Sequence, residues 1–145
     1  MPRFSENSLE RLDSCHPDLQ RLFKEVVRGF DCSVLCGHRS KAAQQKVFEQ
    51  GLSQVQFPNS KHNITPSRAV DVVPYPIDWQ GLPRFHLFAG YVLGIANQLY
   101  QRGEIDHRIR WGGDWDSDTL TKDERFRDLP HFELGQSRPV DEVVG

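Results

Sequence analysis

The chain has 145 residues, 37% of them hydrophobic, with 18 lysines and arginines, 20 acids, a net charge of -2 and an isoelectric point near 6.3. That is enough for one core and too little to expect two domains, and so balanced a charge supplies no positive field for nucleic acid and no charged tail. No stretch approaches the roughly 20 apolar residues of a membrane helix, and the opening MPRFSENSLERL lacks the apolar run of a signal peptide, so a soluble cytoplasmic product without membrane insertion is expected.

A short helical turn is predicted from Ser8. Between Pro17 and Arg28, the residues Leu19, Leu22, Phe23, Val26 and Val27 recur at the spacing of a helix buried along one side, and Pro17 suits its first turn. CSVLC reads as a short buried strand stopped by Gly37, after which Ser40 caps a helix through Ala43, Val47 and Phe48 to Gly51. Leu52 to Pro66 is predicted as loop and Ala69 to Val73 as buried strand. Phe85, Phe88, Ala89, Val92, Ile95, Ala96 and Leu99 mark a long helix from Arg84 to Arg102, with Gly103 as its stop. RIRW is a predicted strand, GGDWDSD a loop and HFEL a last short strand. With no repeat or linker, residues 1–145 make a single α+β domain, a small antiparallel sheet flanked by helices. Cys15, Cys32 and Cys36 are odd in number and form no CxxC pair, so they are expected reduced and mostly buried.

The strand at 69–73 carries an acid at its centre. Side chains alternate between faces, so Asp71 lies among Ala69 and Val73, and an ionised group leaving water is costly unless it is paired, hydrogen-bonded or metal-bound. His62 is the nearest partner in the chain. Of the six histidines, His16 at a helix start, His86 on the long helix and His107 in a polar turn read as structural or solvent-facing, while His38 adjoins Arg39 at a strand end, where functional groups often project. In DLPHFEL, His131 and Glu133 share one strand face, and Asp128 stands three residues before His131. Should His62, Asp71 and His131 converge, they make a two-histidine, one-carboxylate set suited to zinc with one position left open, and Asp128 or Glu133 could move the proton. The alternative is a His62–Asp71 pair that merely closes a loop, with His131 in the core. No compact motif such as HExxH separates the two.

The order Ser60-Lys61-His62, Ala69-Val70-Asp71 and Asp128-Leu129-Pro130-His131, with GHRS, Gln44 and WGGDWD, resembles a family pattern: S-x-H, A-x-D, then an acid three residues before a final histidine. The pattern is that of zinc peptidases related to D-Ala-D-Ala dipeptidases and carboxypeptidases, with a Hedgehog/DD-peptidase-like fold, and within them the phage L-alanyl-D-glutamate endopeptidases that act as endolysins. The resemblance implies that His62, Asp71 and His131 bind Zn2+, that Asp128 is general base and acid, and that Arg39 steadies the oxyanion of the tetrahedral intermediate. Ser60 resembles a substrate-positioning residue. Gln44 and Trp115 are further substrate-site candidates, although Trp111, Asp114 and Trp115 read as core ahead of a cleft wall. Glu133 is either a partner orienting a ligand or a rival base, the three-residue offset favouring Asp128. The NITPSR insert makes the His62-to-Asp71 interval longer than is usual in the family, which implies a bulged loop.

The implied activity is a cut between L-Ala and D-Glu in the peptidoglycan stem peptide, made by a monomeric phage or prophage endolysin without a wall-binding module. It would wait in the host cytoplasm and reach the cell wall with a separate holin-type protein. A D,D-carboxypeptidase or D-Ala-D-Ala dipeptidase is the alternative within the same chemistry. A non-catalytic zinc-containing binding domain is the alternative of another class, against which Asp128 and Arg39 argue. The acid-rich DWDSD reads as a solvated turn ahead of a calcium site.

Overall fold

The computed structural model describes residues 2–117, 119 and 128–139. Helix α1 (Glu6–Asp13) starts earlier than predicted because Ser5 Oγ accepts the Ser8 amide as its cap. Helix α2 (Pro17–Gly29) buries Leu19, Leu22, Phe23, Val26 and Val27, as its spacing requires. Strand β1 (Cys32–Cys36) follows, then α3 (Lys41–Glu49) with Ser40 as its cap, β2 (Ala69–Pro74), α4 (Leu82–Gln101), β3 (His107–Gly112) and β4 (Asp128–Ser137). Among the described residues, no helix is long and apolar enough to cross a membrane.

The strands form one antiparallel sheet in the order β1-β2-β4-β3. Val34, Val70, Val72, Phe132 and Leu134 turn one face toward α2 and α4, where they join Phe23, Val26, Phe88 and Val92 in the core. Phe132 meets Phe23 and Phe88 edge-on, at centroid distances of 5.4 and 6.1 Å. The thiols of Cys15, Cys32 and Cys36 are all free, the first two buried.

Three local readings change. Strand β4 extends beyond HFEL at both ends, because Pro130 falls where the pairing skips from Trp111–Phe132 to Gly112–Asp128, a bulge in which its missing N–H is not needed. Gly112 makes that skip possible: a Cβ there would stand 2.1 Å from the Asp128 carbonyl oxygen. His107 opens β3 instead of lying in a turn, and α3 buries Gln44 while Val47 and Phe48 are only half-buried.

Candidate metal centre

Strand register places the first two groups. Asp71 on β2 lies opposite Cys36 of β1 and opposite His131 of β4, on the face away from the apolar core. His62 comes from a 3-10 turn, Lys61–Asn63, inside the stretch predicted as loop. Ser60 Oγ accepts the His62 amide at 3.1 Å, and Asn63 Oδ1 accepts the Ser60 amide at 3.1 Å, a reciprocal cap that fixes the turn. The Arg39 amide donates to the His62 carbonyl at 2.7 Å, and Asn63 Nδ2 donates to the Arg39 carbonyl at 3.0 Å. The GHRS and SKHN segments are thereby locked together.

His62 Nε2 and His131 Nδ1 each stand 3.3 Å from Asp71 Oδ1, and one ligand atom from each of the three residues lies within 4.8 Å of the others. His62 Nε2 and Asp71 Oδ1 are buried without a hydrogen-bond partner. Orphaned polar atoms of this kind are costly, and one cation between them would satisfy both. The outward nitrogens are engaged: His62 Nδ1 donates to the Gly37 carbonyl at 2.8 Å and His131 Nε2 to Glu133 Oε1 at 2.7 Å. In the neutral imidazole, each bond leaves the other nitrogen turned inward as an acceptor. Two imidazole nitrogens and a carboxylate fit a divalent transition metal.

Charge is balanced within the protein groups as well. Burial opposes protonation of His62, but Asp71 and Cys36 outweigh it and raise the pKa to about 10. Burial likewise disfavours the charged form of Asp71, yet His131 and His62 hold it well below the usual carboxylate range. Asp128 moves the other way, its pKa raised by burial and then by the negative charge of Asp71.

The three groups open on a cleft of about 620 Å³, whose lining includes Arg39, Ser60, Trp115 and Asp128. Asp128 Oδ2 is 3.8 Å from His131 Nδ1. Arg39 Nη2 lies 3.4 Å from Asp71 Oδ2, and its Nη1 donates to Gln44 Oε1 at 2.9 Å. Gln44, expected at the substrate site, is fully buried behind Arg39, and its Nε2 donates to Ser53 Oγ and the Val55 carbonyl, so it ties Arg39 to the following loop. Ser60 lines the cleft while capping the turn. Trp115 sits 5.3 Å from the His131 ring, whereas Trp111 is core, its indole N–H donating to the Leu129 carbonyl at 2.7 Å. Glu133 has both carboxylate oxygens engaged, Oε1 by His131 and Oε2 by Lys61 Nζ at 2.8 Å and Arg110 Nη2 at 2.6 Å. That makes it a hydrogen-bond partner of His131. Sequence reading missed Lys61 and Arg110, although the alternation in RIRW sets Arg110 on the face opposite Trp111.

The other histidines fall outside the cleft. His16 Nδ1 caps α2 by accepting the Asp18 amide, and Asp18 Oδ2 accepts the Asp106 and His107 amides and His107 Nδ1. These three side chains also approach one another closely, but as a tie between α2 and β3. His38 is exposed, and His86 lies edge-on against Trp111. The long interval before Asp71 is pinned to the α1–α2 junction through Ser67 and lends the cleft no residue between His62 and Asp71. In DWDSD, Asp114 Oδ2 accepts the Thr119 amide, and Asp118 lies outside the described residues.

Sequence comparison matches residues 1–135 to the family described as phage L-alanyl-D-glutamate peptidase. Among solved structures, this one is similar to the crystal structure of Serratia marcescens L-Ala D-Glu endopeptidase ChiX, with a TM-score of 0.68 and 28% sequence identity over 92% of this chain and 91% of that one. No curated protein matches.

Proposed function

The chain belongs to the phage L-alanyl-D-glutamate peptidase family, and from that premise we propose a zinc-dependent endopeptidase that cuts the L-Ala–D-Glu bond of the peptidoglycan stem, serving as an endolysin. The observation that carries the zinc reading is the pair of orphaned buried atoms, His62 Nε2 and Asp71 Oδ1, facing each other beside His131 Nδ1.

His62, Asp71 and His131 would hold the metal. When bound, zinc supplies a Lewis acid that activates water near neutral pH. Asp128, at the cleft and with a raised pKa, takes the proton from the attacking water and returns it to the leaving amine. Arg39 offers a cationic fork to the oxygen that gains charge, held in place by Gln44 and by the turn around Asn63. Glu133 keeps His131 in the tautomer that presents Nδ1 inward. Delivery to the wall falls to a separate holin-type protein.

The test is mass spectrometry of purified peptidoglycan after digestion. New L-Ala carboxyl ends and D-Glu amino ends are expected; released D-Ala would replace this reading with the carboxypeptidase one. Chelation should abolish the cut and zinc should restore it, so activity that survives chelation removes the metal from the scheme.

A further inference from the structure

The groups around Glu133 are unequal in charge and in exposure. Lys61 Nζ and Arg110 Nη2 both converge on the single oxygen Glu133 Oε2, at 2.8 and 2.6 Å. Two cations thus share one acid, which also holds His131. The acid is inside and the cations are outside: the Glu133 side chain is 6% exposed, against 37% for Lys61 and 41% for Arg110. Both cations line the cleft, so the field this triplet presents there is positive.

Both are also held still. Lys61 Nζ donates a second bond to the Leu134 carbonyl at 2.9 Å, which leaves one of its three N–H groups unspent. Arg110 Nη1 reaches the Trp115 carbonyl at 3.4 Å, and its guanidinium lies 5.4 Å from the centre of the Trp115 ring. Cations fixed before the ligand arrives lose little freedom on binding it.

We propose that Lys61 and Arg110 form a carboxylate-reading site that selects an acidic residue on the C-terminal side of the scissile bond. The inference rests on the endopeptidase reading above and adds what makes the enzyme choose its bond. A glutamyl residue keeps one free carboxyl whichever of its carboxyls carries the chain onward, so an L-Ala–D-Glu substrate in which that carboxyl is unmodified offers this wall an anion. An uncharged residue at that place would leave the spare donors unmatched.

The experiment compares two blocked peptides, one with D-Glu after L-Ala and one in which the free carboxyl of that residue is amidated, using the zinc-loaded protein and its Lys61→Met and Arg110→Met variants. The wild type is expected to prefer the acid by about tenfold in kcat/KM, mainly through KM, and each variant to shrink that ratio several-fold. A merely structural role, through Glu133 and His131, would slow both peptides alike and keep the ratio, which would overturn the inference. Equal cleavage of the two by the wild type would overturn it as well. If the wild type cleaves neither peptide, the endopeptidase reading itself fails and the inference falls with it.

Discussion

Strand β4 carries two different interiors in alternation. Phe132 and Leu134 are 0% exposed against α2 and α4, while His131 and Glu133, on the opposite face, are only 7% and 5% exposed. Burial is nearly equal, yet what makes it tolerable differs. On the apolar face each methylene contributes in proportion to the area it removes from water. On the polar face every charge needs a named partner: His131 has Glu133 and Asp71, Glu133 has Lys61 and Arg110, and Asp71 has both histidines. Damage to the first should be graded, and damage to the second should depend on which partner is lost.

The largest expected effect separates chemistry from both interiors. Asp128→Ala should lower the rate of lysis of outer-membrane-permeabilised cells by about 10²- to 10⁴-fold while zinc content and Tm stay as in the wild type. Lysis at the normal rate would assign proton transfer to another group. Next comes Phe132→Ala, expected to cost about 3–5 kcal/mol in urea unfolding by leaving a cavity between Phe23 and Phe88; a loss below about 1 kcal/mol would erase the contrast between the faces.

The mildest is Glu133→Gln, which should weaken zinc binding about 10- to 100-fold in chelator competition with little change in the far-UV spectrum. Burial disfavours the Glu133 carboxylate, but His131 and Lys61 hold its pKa at about 2, below the ordinary 4.5. Its stabilising contribution is therefore present above pH 4.5 and is lost as pH falls through 2. The stability gap between wild type and this variant should close over that interval, and a gap that widens on acidification would contradict the pairing.

Much of the apolar interior was legible in the sequence, since the spacing in α2 and α4 and the alternation in β2 each specify a buried face. Asp71 announced itself as an acid in an apolar strand. The convergence of His62 and His131 on it needed the ordered family pattern, because neither lies at a helical or strand spacing from the others. What stayed hidden depends on partners remote in the chain. The reciprocal cap of Ser60 and Asn63 sits in a stretch whose composition says only loop. Pro130 argues against a strand until the bulge opposite Gly112 is known. The ties that Gln44 makes to Arg39, Ser53 and Val55 show only once these residues are seen around it.

The strand order β1-β2-β4-β3 seats the last of the described strands between two made earlier. Translation therefore yields a nascent chain in which β2 and β3 lack their shared neighbour, and pairing that spans such sequence separation cannot begin until β4 has left the ribosome. His131, Asp128 and Glu133 all arrive with that strand. The sheet, and with it the meeting of His131 with Asp71, is completed only by the strand made last among those described.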